Sequence, residues 1–233
     1  MEGHVSERLI GMLAFPCMTQ LDLTGPYEVF ARLPNTRVHL VAQRLDPIET
    51  DRGLTILPTS TYAACPQLDV IVVPGGPGQQ DLMDDEPTLE FLRRQAKGAA
   101  YVTSVCTGSL VLGAAGLLKG RRATCHWGAV DLLAHLGAIP TRERVVADGN
   151  LVTGAGVASG IDFALTLAGL LDGETVAREI QLQIEYDPAP PFDCGSPRTA
   201  PPELVQRLKA RGAKLYAARE ETARHAGEKL DRE

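Results

Sequence analysis

The stretch Tyr101-Val-Thr-Ser-Val-Cys-Thr-Gly-Ser-Leu-Val-Leu-Gly-Ala-Ala-Gly116 decides the fold. Residues 100–105 make a short run of the kind that fills a parallel strand buried on both faces, and residues 107–117 switch abruptly to Ala, Leu and Gly at helical spacing. A strand that passes into a helix through one residue, with Cys106 at the junction and Gly108 two positions on, has the topology of a nucleophile elbow. A second run, Asp69-Val-Ile-Val-Val-Pro-Gly-Gly76, stops at Pro74, Gly75 and Gly76. It predicts another buried parallel strand with a sharp turn at its carboxyl end.

Outward from these two strands the pattern alternates. Strands are predicted at residues 9–15 and 38–42, with a helix opening near Asp22 and running through Phe30 between them. Ile48 and residues 54–57 suit a small hairpin around Asp51-Arg52-Gly53. A helix is expected at 87–97, a short strand at 123–126, a helix at 129–136, two strands at 144–147 and 151–153 around Asp148-Gly149-Asn150, and a buried helix at 161–171. Strands interleaved with helices give an α/β fold, a doubly wound, mostly parallel sheet with helices on both faces. From Asp187 to Pro202 the composition turns to Pro, Gly and Ser, and a polar helix-prone tail follows. The expected division is an α/β domain over 1–195 and a C-terminal helical extension over 196–233, an appendage or oligomer arm.

Composition narrows the function. Of the 233 residues 44% are hydrophobic and 22% charged, which suits a packed core rather than a disordered chain. With 23 Lys and Arg against 29 Asp and Glu, the net charge of -6 offers no general field for phosphate backbones or anionic lipid. Nucleic acid and membrane are therefore excluded as expected partners. The apolar stretches at 110–118 and 161–171 fall short of the ~20 residues of a membrane span. No secretory or transit segment is visible at the N-terminus, which predicts a cytoplasmic location. The five cysteines, Cys17, Cys65, Cys106, Cys125 and Cys194, contain no CxxC pair and are odd in number, which argues against a disulfide framework and a zinc knuckle.

In open α/β sheets ligands bind outside the carboxyl ends of the strands, and Cys106 lies there. Backbone N–H groups and a helix amino end favour thiolate over thiol, an environment that takes a cysteine pKa from ~8.5 toward ~3.5–7.5. The plain alternative is a buried structural cysteine. Asp22 reads either as a partner at the mouth of the elbow or as a helix N-cap. Gly75 and Gly76 present N–H groups to developing negative charge, or simply make a tight turn. His126, in Thr124-Cys-His-Trp127, is either a base for the thiol or a structural residue, and Cys125 with His126 lacks the further ligands of a zinc site. Trp127 is expected in the core, and Cys17 either touches the same pocket or serves as a small hydrophobe.

Five segments carry a resemblance: Gln20-Leu-Asp-Leu-Thr-Gly-Pro-Tyr-Glu-Val-Phe30, Val73-Pro-Gly-Gly-Pro-Gly78, Val105-Cys-Thr-Gly-Ser109, Ala115-Gly-Leu-Leu-Lys-Gly-Arg-Arg-Ala-Thr124 and Thr153-Gly-Ala-Gly156. Together, over about Arg8 to Gly195, they resemble the isocyanide (isonitrile) hydratases, within the superfamily of the Parkinson-associated deglycase and the intracellular proteases. The resemblance implies a flavodoxin-like, class I glutamine amidotransferase-like domain, a homodimer, no cofactor, no metal, and hydration of R–N≡C to the N-substituted formamide. It matches Cys106 to the nucleophile and Asp22 to its acid/base partner. Thr107 fits the hydratase pattern where the protease-like branch carries His, and Asp22 stands where the deglycase-like and protease-like branches usually carry Glu.

The residue types suit that chemistry. A thiolate adds to the electrophilic isocyanide carbon if a proton reaches the same carbon, giving a thioimidate, and the carboxylate left behind then activates water. Backbone N–H groups at Thr107 and Gly76 are expected to hold Asp22 or the intermediate. Two other readings use the same segments. One is a deglycase, glyoxalase or redox-sensing thiol protein of the superfamily. The other is a stand-alone ligand sensor, since the ligand domains of arabinose-operon-type activators share the segments around Asp22 and Cys106. The 38 residues after Gly195 are too few for the paired helix-turn-helix units of such activators.

Overall fold

The computed structural model describes residues 7–232. The reading of the N-terminus as free of a leader falls partly on residues 1–6, outside that range. In chain order the elements are β1 (Arg8–Leu13), α1 (Gln20–Phe30), β2 (Thr36–Ala42), β3 (Ile48–Glu49), β4 (Thr55–Ile56), β5 (Ser60–Thr61) and β6 (Val70–Val73), then α2 (Gln79–Leu82), α3 (Glu86–Ala96), β7 (Tyr101–Val105) and α4 (Gly108–Ala114). They continue with β8 (Arg122–Ala123), a 3-10 helix (Val130–Leu136), β9 (Ile139–Pro140), β10 (Val145–Asp148), β11 (Leu151–Gly154), α5 (Ser159–Asp172), α6 (Glu174–Gln183) and α7 (Pro202–Leu230).

The main sheet has the order β10-β11-β7-β6-β1-β2-β5, and every pairing in it is parallel except the β10–β11 hairpin at one edge. Its inner five strands, β2-β1-β6-β7-β11, follow the 2-1-3-4-5 order of flavodoxin-like folds, so the direction of winding reverses between β1 and β6. Val70, Ile71, Val72 and Val73 of β6 are all buried, as a strand covered on both faces requires. Two groups of helices supply the cover. Helices α1, α5 and α6 pack together, and α2, α3, α4, the 3-10 helix and α7 form the other group.

Several segments depart from the sequence reading for physical reasons. The helix expected at 129–136 is a 3-10 helix, whose three-residue turn stacks the buried Val130, Leu133 and Leu136 on one side before Gly137 ends it at φ 74°. The strand expected at 123–126 stops at Ala123, because the Thr124 N–H donates to Thr153 Oγ1 at 2.9 Å instead of continuing a ladder. Helix α6 was missing from the sequence reading. Its sequence is mostly polar and fully buries only Ile180, but Val176, Ala177 and Ile180 recur at helical spacing and pack against the core, a periodicity the sequence reading passed over. The tail is a single helix of 29 residues whose buried side, Ala223, Ala226 and Gly227, lies in its last third. There it packs on the 3-10 helix so closely that a Cβ on Gly227 would overlap His135 O. No helix among the described residues is long and apolar enough to cross a membrane.

Candidate active site

The elbow forms as its sequence suggests. Cys106 takes φ 57°, the left-handed region that a non-glycine residue enters only under constraint. The constraint comes from β11, since the Cys106 N–H donates to Ala155 O at 2.7 Å and Gly154 O at 3.1 Å. Helix α4 leaves at once and passes so near β6 that a Cβ at Gly108 would overlap Val73 O, hence glycine there. Ser109 Oγ, 2.7 Å from Thr124 O and 2.8 Å from Ser104 Oγ, ties the helix start to its surroundings.

Across the reversal point, the loops after β1 and β6 interlock. Thr19 N–H donates to Gly75 O at 2.9 Å, Gly78 N–H donates to Cys17 O at 3.1 Å, and Gly76 turns with φ 131° where any Cβ would meet the Met18-Thr19 backbone. This brings Gly75 and Gly76 against the first turn of α1 and the elbow together. Gly75 N–H donates to Asp22 Oδ2 at 2.9 Å, and Gly76 N–H donates to Thr107 Oγ1 at 3.1 Å. The two N–H groups considered for an oxyanion are thus committed, at rest, to holding the carboxyl and the threonine hydroxyl. Gly75, rather than Gly76, is the residue that holds Asp22. Thr107 turns its hydroxyl to Gly76 and makes no side-chain cap on α4.

Asp22 is fully buried, and its Oδ1 has no hydrogen-bond partner among the described residues. Burial raises its pKa to about 7, against the opposing pull of the Gly75 N–H and the neighbouring Cys106 thiol, and Asp51 adds a little to the rise. Cys106 is 5% exposed. Burial, then the neighbouring Asp22 and Cys125, push its pKa well above the ordinary thiol value, and the Thr107 N–H opposes them. The lowered thiol pKa expected from the elbow is therefore absent at rest, because α4 is only seven residues long and desolvation outweighs its amino end. The resting pair is a neutral thiol beside a carboxyl that titrates near neutrality.

His126 is half-buried. Its Nδ1 accepts the Gly128 N–H at 3.1 Å, and burial with the nearby Arg219 charge lowers its pKa, so the ring is neutral. Trp127 is not in the core. It lies half-buried against His126, ring centres 5.5 Å apart, on the wall of a cavity of about 610 Å³ shared with Leu208, Tyr216 and Arg219. Cys17 is an exposed free thiol on a left-handed backbone, φ 56°. The sequence reading missed Arg219 altogether. Its Nη2 donates to Gly76 O at 3.1 Å, from a helix that begins 96 positions after Cys106 and carries no local motif. Among the described residues no three His, Cys, Asp or Glu side chains gather to hold a metal ion.

A family model described as DJ-1/PfpI matches residues 8–170. The chain is 58% identical over 222 residues to the isonitrile hydratase of Pseudomonas putida, covering 95% of this chain and 97% of that one. A ThiJ/PfpI family protein of known structure from Pseudomonas syringae superposes with a TM-score of 0.92 at 45% identity, covering 94% of this chain and 91% of the other. A DJ-1 superfamily protein from Salmonella typhimurium, 27% identical, superposes with a TM-score of 0.70 over 98% of its own length but only 77% of this chain.

Proposed function

The chain belongs to the DJ-1/PfpI family, and from that premise we propose that it is an isonitrile hydratase, a hydro-lyase that turns R–N≡C and water into the N-substituted formamide through Cys106. One observation carries the reading: a buried carboxyl lies close enough to a buried thiol for each to shift the other's titration, in a chain 58% identical to an isonitrile hydratase over nearly its whole length.

The geometry supports a balanced sequence of steps. The Cys106 proton passes to Asp22 as the sulfur attacks the terminal carbon, and Asp22 delivers that proton to the same carbon. The C–S and C–H bonds form while one N–C bond is lost, giving the thioimidate Cys106–S–CH=N–R. Asp22, again a carboxylate, takes a proton from water as the hydroxyl adds to the thioimidate carbon and passes that proton to the nitrogen, which returns Asp22 to the carboxylate form. The C–S bond then breaks, the oxygen proton returns to sulfur by way of Asp22, and HC(=O)–NHR leaves. A carboxyl titrating near 7 suits a group that must be acid in one half-reaction and base in the other. Gly75 fixes that carboxyl, and Thr107 fixes the turn beside the sulfur.

The same reading takes residues 1–195 as the catalytic α/β domain and 196–233 as an extension of it. It also takes the protein as a cytoplasmic homodimer. The five free cysteines suit a reducing compartment, and the exposed Leu182 and Phe192, 82% and 76% accessible, suit burial against a second copy. A redox sensor fits less well, since oxidation favours exposed, low-pKa thiols and Cys106 is 5% exposed. The test is formamide release from cyclohexyl isocyanide by the purified protein. Cys106→Ala should abolish it, and lactate from methylglyoxal should stay at background. Full formamide release by Cys106→Ala would overturn the mechanism.

A further inference from the structure

Helix α7 lies beyond the residues that the family model matches, yet it sends a side chain to the carboxyl edge of the sheet. The Gly75-Gly76 dipeptide is gripped from three distant parts of the chain: Asp22 on the Gly75 N–H, Thr107 on the Gly76 N–H, and Arg219 on Gly76 O, the last at 3.1 Å. The Arg219 guanidinium is half-buried, and its Nε is buried with no hydrogen-bond partner. Its charge lies within electrostatic reach of Cys106 and Cys125, whose negative forms would stabilise it.

The groups that bear on the sulfur come from four segments. Asp22 acts on it from α1, Cys125 from the segment after β8, the Thr107 N–H from the start of α4, and Arg219 from α7. His126, beside Arg219, is held neutral, and Asp51 acts on Asp22. Two of the side chains acting on the sulfur can be negative, and the positive one is Arg219. The reaction nevertheless requires the sulfur to carry negative charge twice, when it gives up its proton to attack and when it departs from carbon. A short α4 does not supply enough compensation. A desolvated guanidinium does, because its charge is fixed and the medium around it screens little.

We propose that Arg219 is a positioning residue of the active site: anchored on Gly76 O, it stabilises the ionised Cys106 sulfur, which makes the C-terminal helix a working part of the site rather than an appendage. The inference rests on Cys106 being the nucleophile of the proposed reaction, and not on the identity of the electrophile.

The test follows the ionisation of Cys106 in the full-length protein without substrate. Thiolate absorbance near 240 nm is titrated from about pH 6 upward as far as circular dichroism shows the fold intact, with the same titration in a Cys106→Ala background subtracted so that the other four cysteines cancel; where the midpoint lies beyond that range, the rate of Cys106 alkylation by iodoacetamide at fixed pH below it reports the thiolate fraction. Arg219→Met should raise the midpoint by about one unit or more, a tenfold smaller thiolate fraction at any pH below it, while Arg219→Lys should stay within a few tenths of the parent. Formamide turnover should fall in Arg219→Met in proportion, with partial recovery in Arg219→Lys. If Arg219→Met does not fold, Arg219→Gln against Arg219→Lys carries the same contrast. An unchanged Cys106 midpoint when the charge is removed would overturn the proposal whatever the activity does. The expected midpoints in a protein that releases no formamide would uphold it and sink the hydratase reading alone.

Discussion

Gly75 and Asp22, 53 positions apart in the chain, meet through a single hydrogen bond of 2.9 Å from the glycine N–H to Oδ2. That bond fixes the direction of a carboxyl whose other oxygen has no hydrogen-bond partner among the described residues. Asp22→Asn keeps the shape and can keep the Gly75 contact through its amide oxygen, but cannot move a proton. Formamide production should fall by about 10²–10⁴-fold, the usual worth of general acid–base catalysis, with the circular dichroism spectrum unchanged. A variant within threefold of the parent would remove Asp22 from the mechanism.

The same carboxyl makes stability depend on pH with a definite sign. Its pKa is about 7 folded against 3.8 unfolded, so the folded state holds the proton more tightly. The contribution is fully present below pH 3.8, fades as pH rises toward about 7, and stays lost above it. Three pKa units correspond to about 4 kcal/mol. Asp22→Asn should recover on the order of 2 kcal/mol at pH 8, the remainder being offset by an amide N–H without a partner. Chemical denaturation at pH 4 and pH 8 should show the parent losing stability across this window and the variant losing less.

Catalysis should follow the pair rather than either group. Attack needs one proton shared between Cys106 and Asp22, so kcat/KM should rise through an acid limb near pH 7, where Asp22 loses its extra proton. It should fall again only well into the alkaline range, because the thiol is pushed up. A profile already flat at pH 5 would contradict the raised carboxyl pKa.

How much of this was legible from the chain depends on sequence distance. The β6 run and the elbow at Cys106 are local, since β-branched residues, Pro, Gly and a switch of period sit side by side, and they placed the sheet and the thiol. Asp22 was legible as a helix-start carboxylate, but its orphan Oδ1 depends on how the loops after β1 and β6 lock together. The protonation of Cys106 was misread because the elbow motif reports N–H groups and a helix end and says nothing of desolvation. Arg219 was invisible for a related reason: a solvated-looking helix of mixed charge gives no sign of which of its arginines is turned onto Gly76, 143 positions away.

Thr107 is tested by removing its oxygen alone. Thr107→Val keeps the volume but leaves the buried Gly76 N–H without its acceptor at 3.1 Å. The loss should be about 1–3 kcal/mol of stability by chemical denaturation. Displacement of the turn next to the sulfur should lower kcat by up to about 10²-fold. Unchanged stability would mean that the N–H finds another partner.

His126 is the remaining candidate for a base, and the geometry argues that it is not used as one. Its Nδ1 already accepts the Gly128 N–H at 3.1 Å, and burial, with a further contribution from the neighbouring Arg219 charge, disfavours the protonated ring that a base must become. His126→Gln supplies a side-chain oxygen of similar reach for the Gly128 N–H, so formamide turnover should stay within about threefold of the parent and the acid limb near pH 7 should not move. A loss of 10²-fold or more, the scale expected when a proton-transfer group is removed, would instead put the imidazole on the proton path and displace Asp22 from one of its two roles.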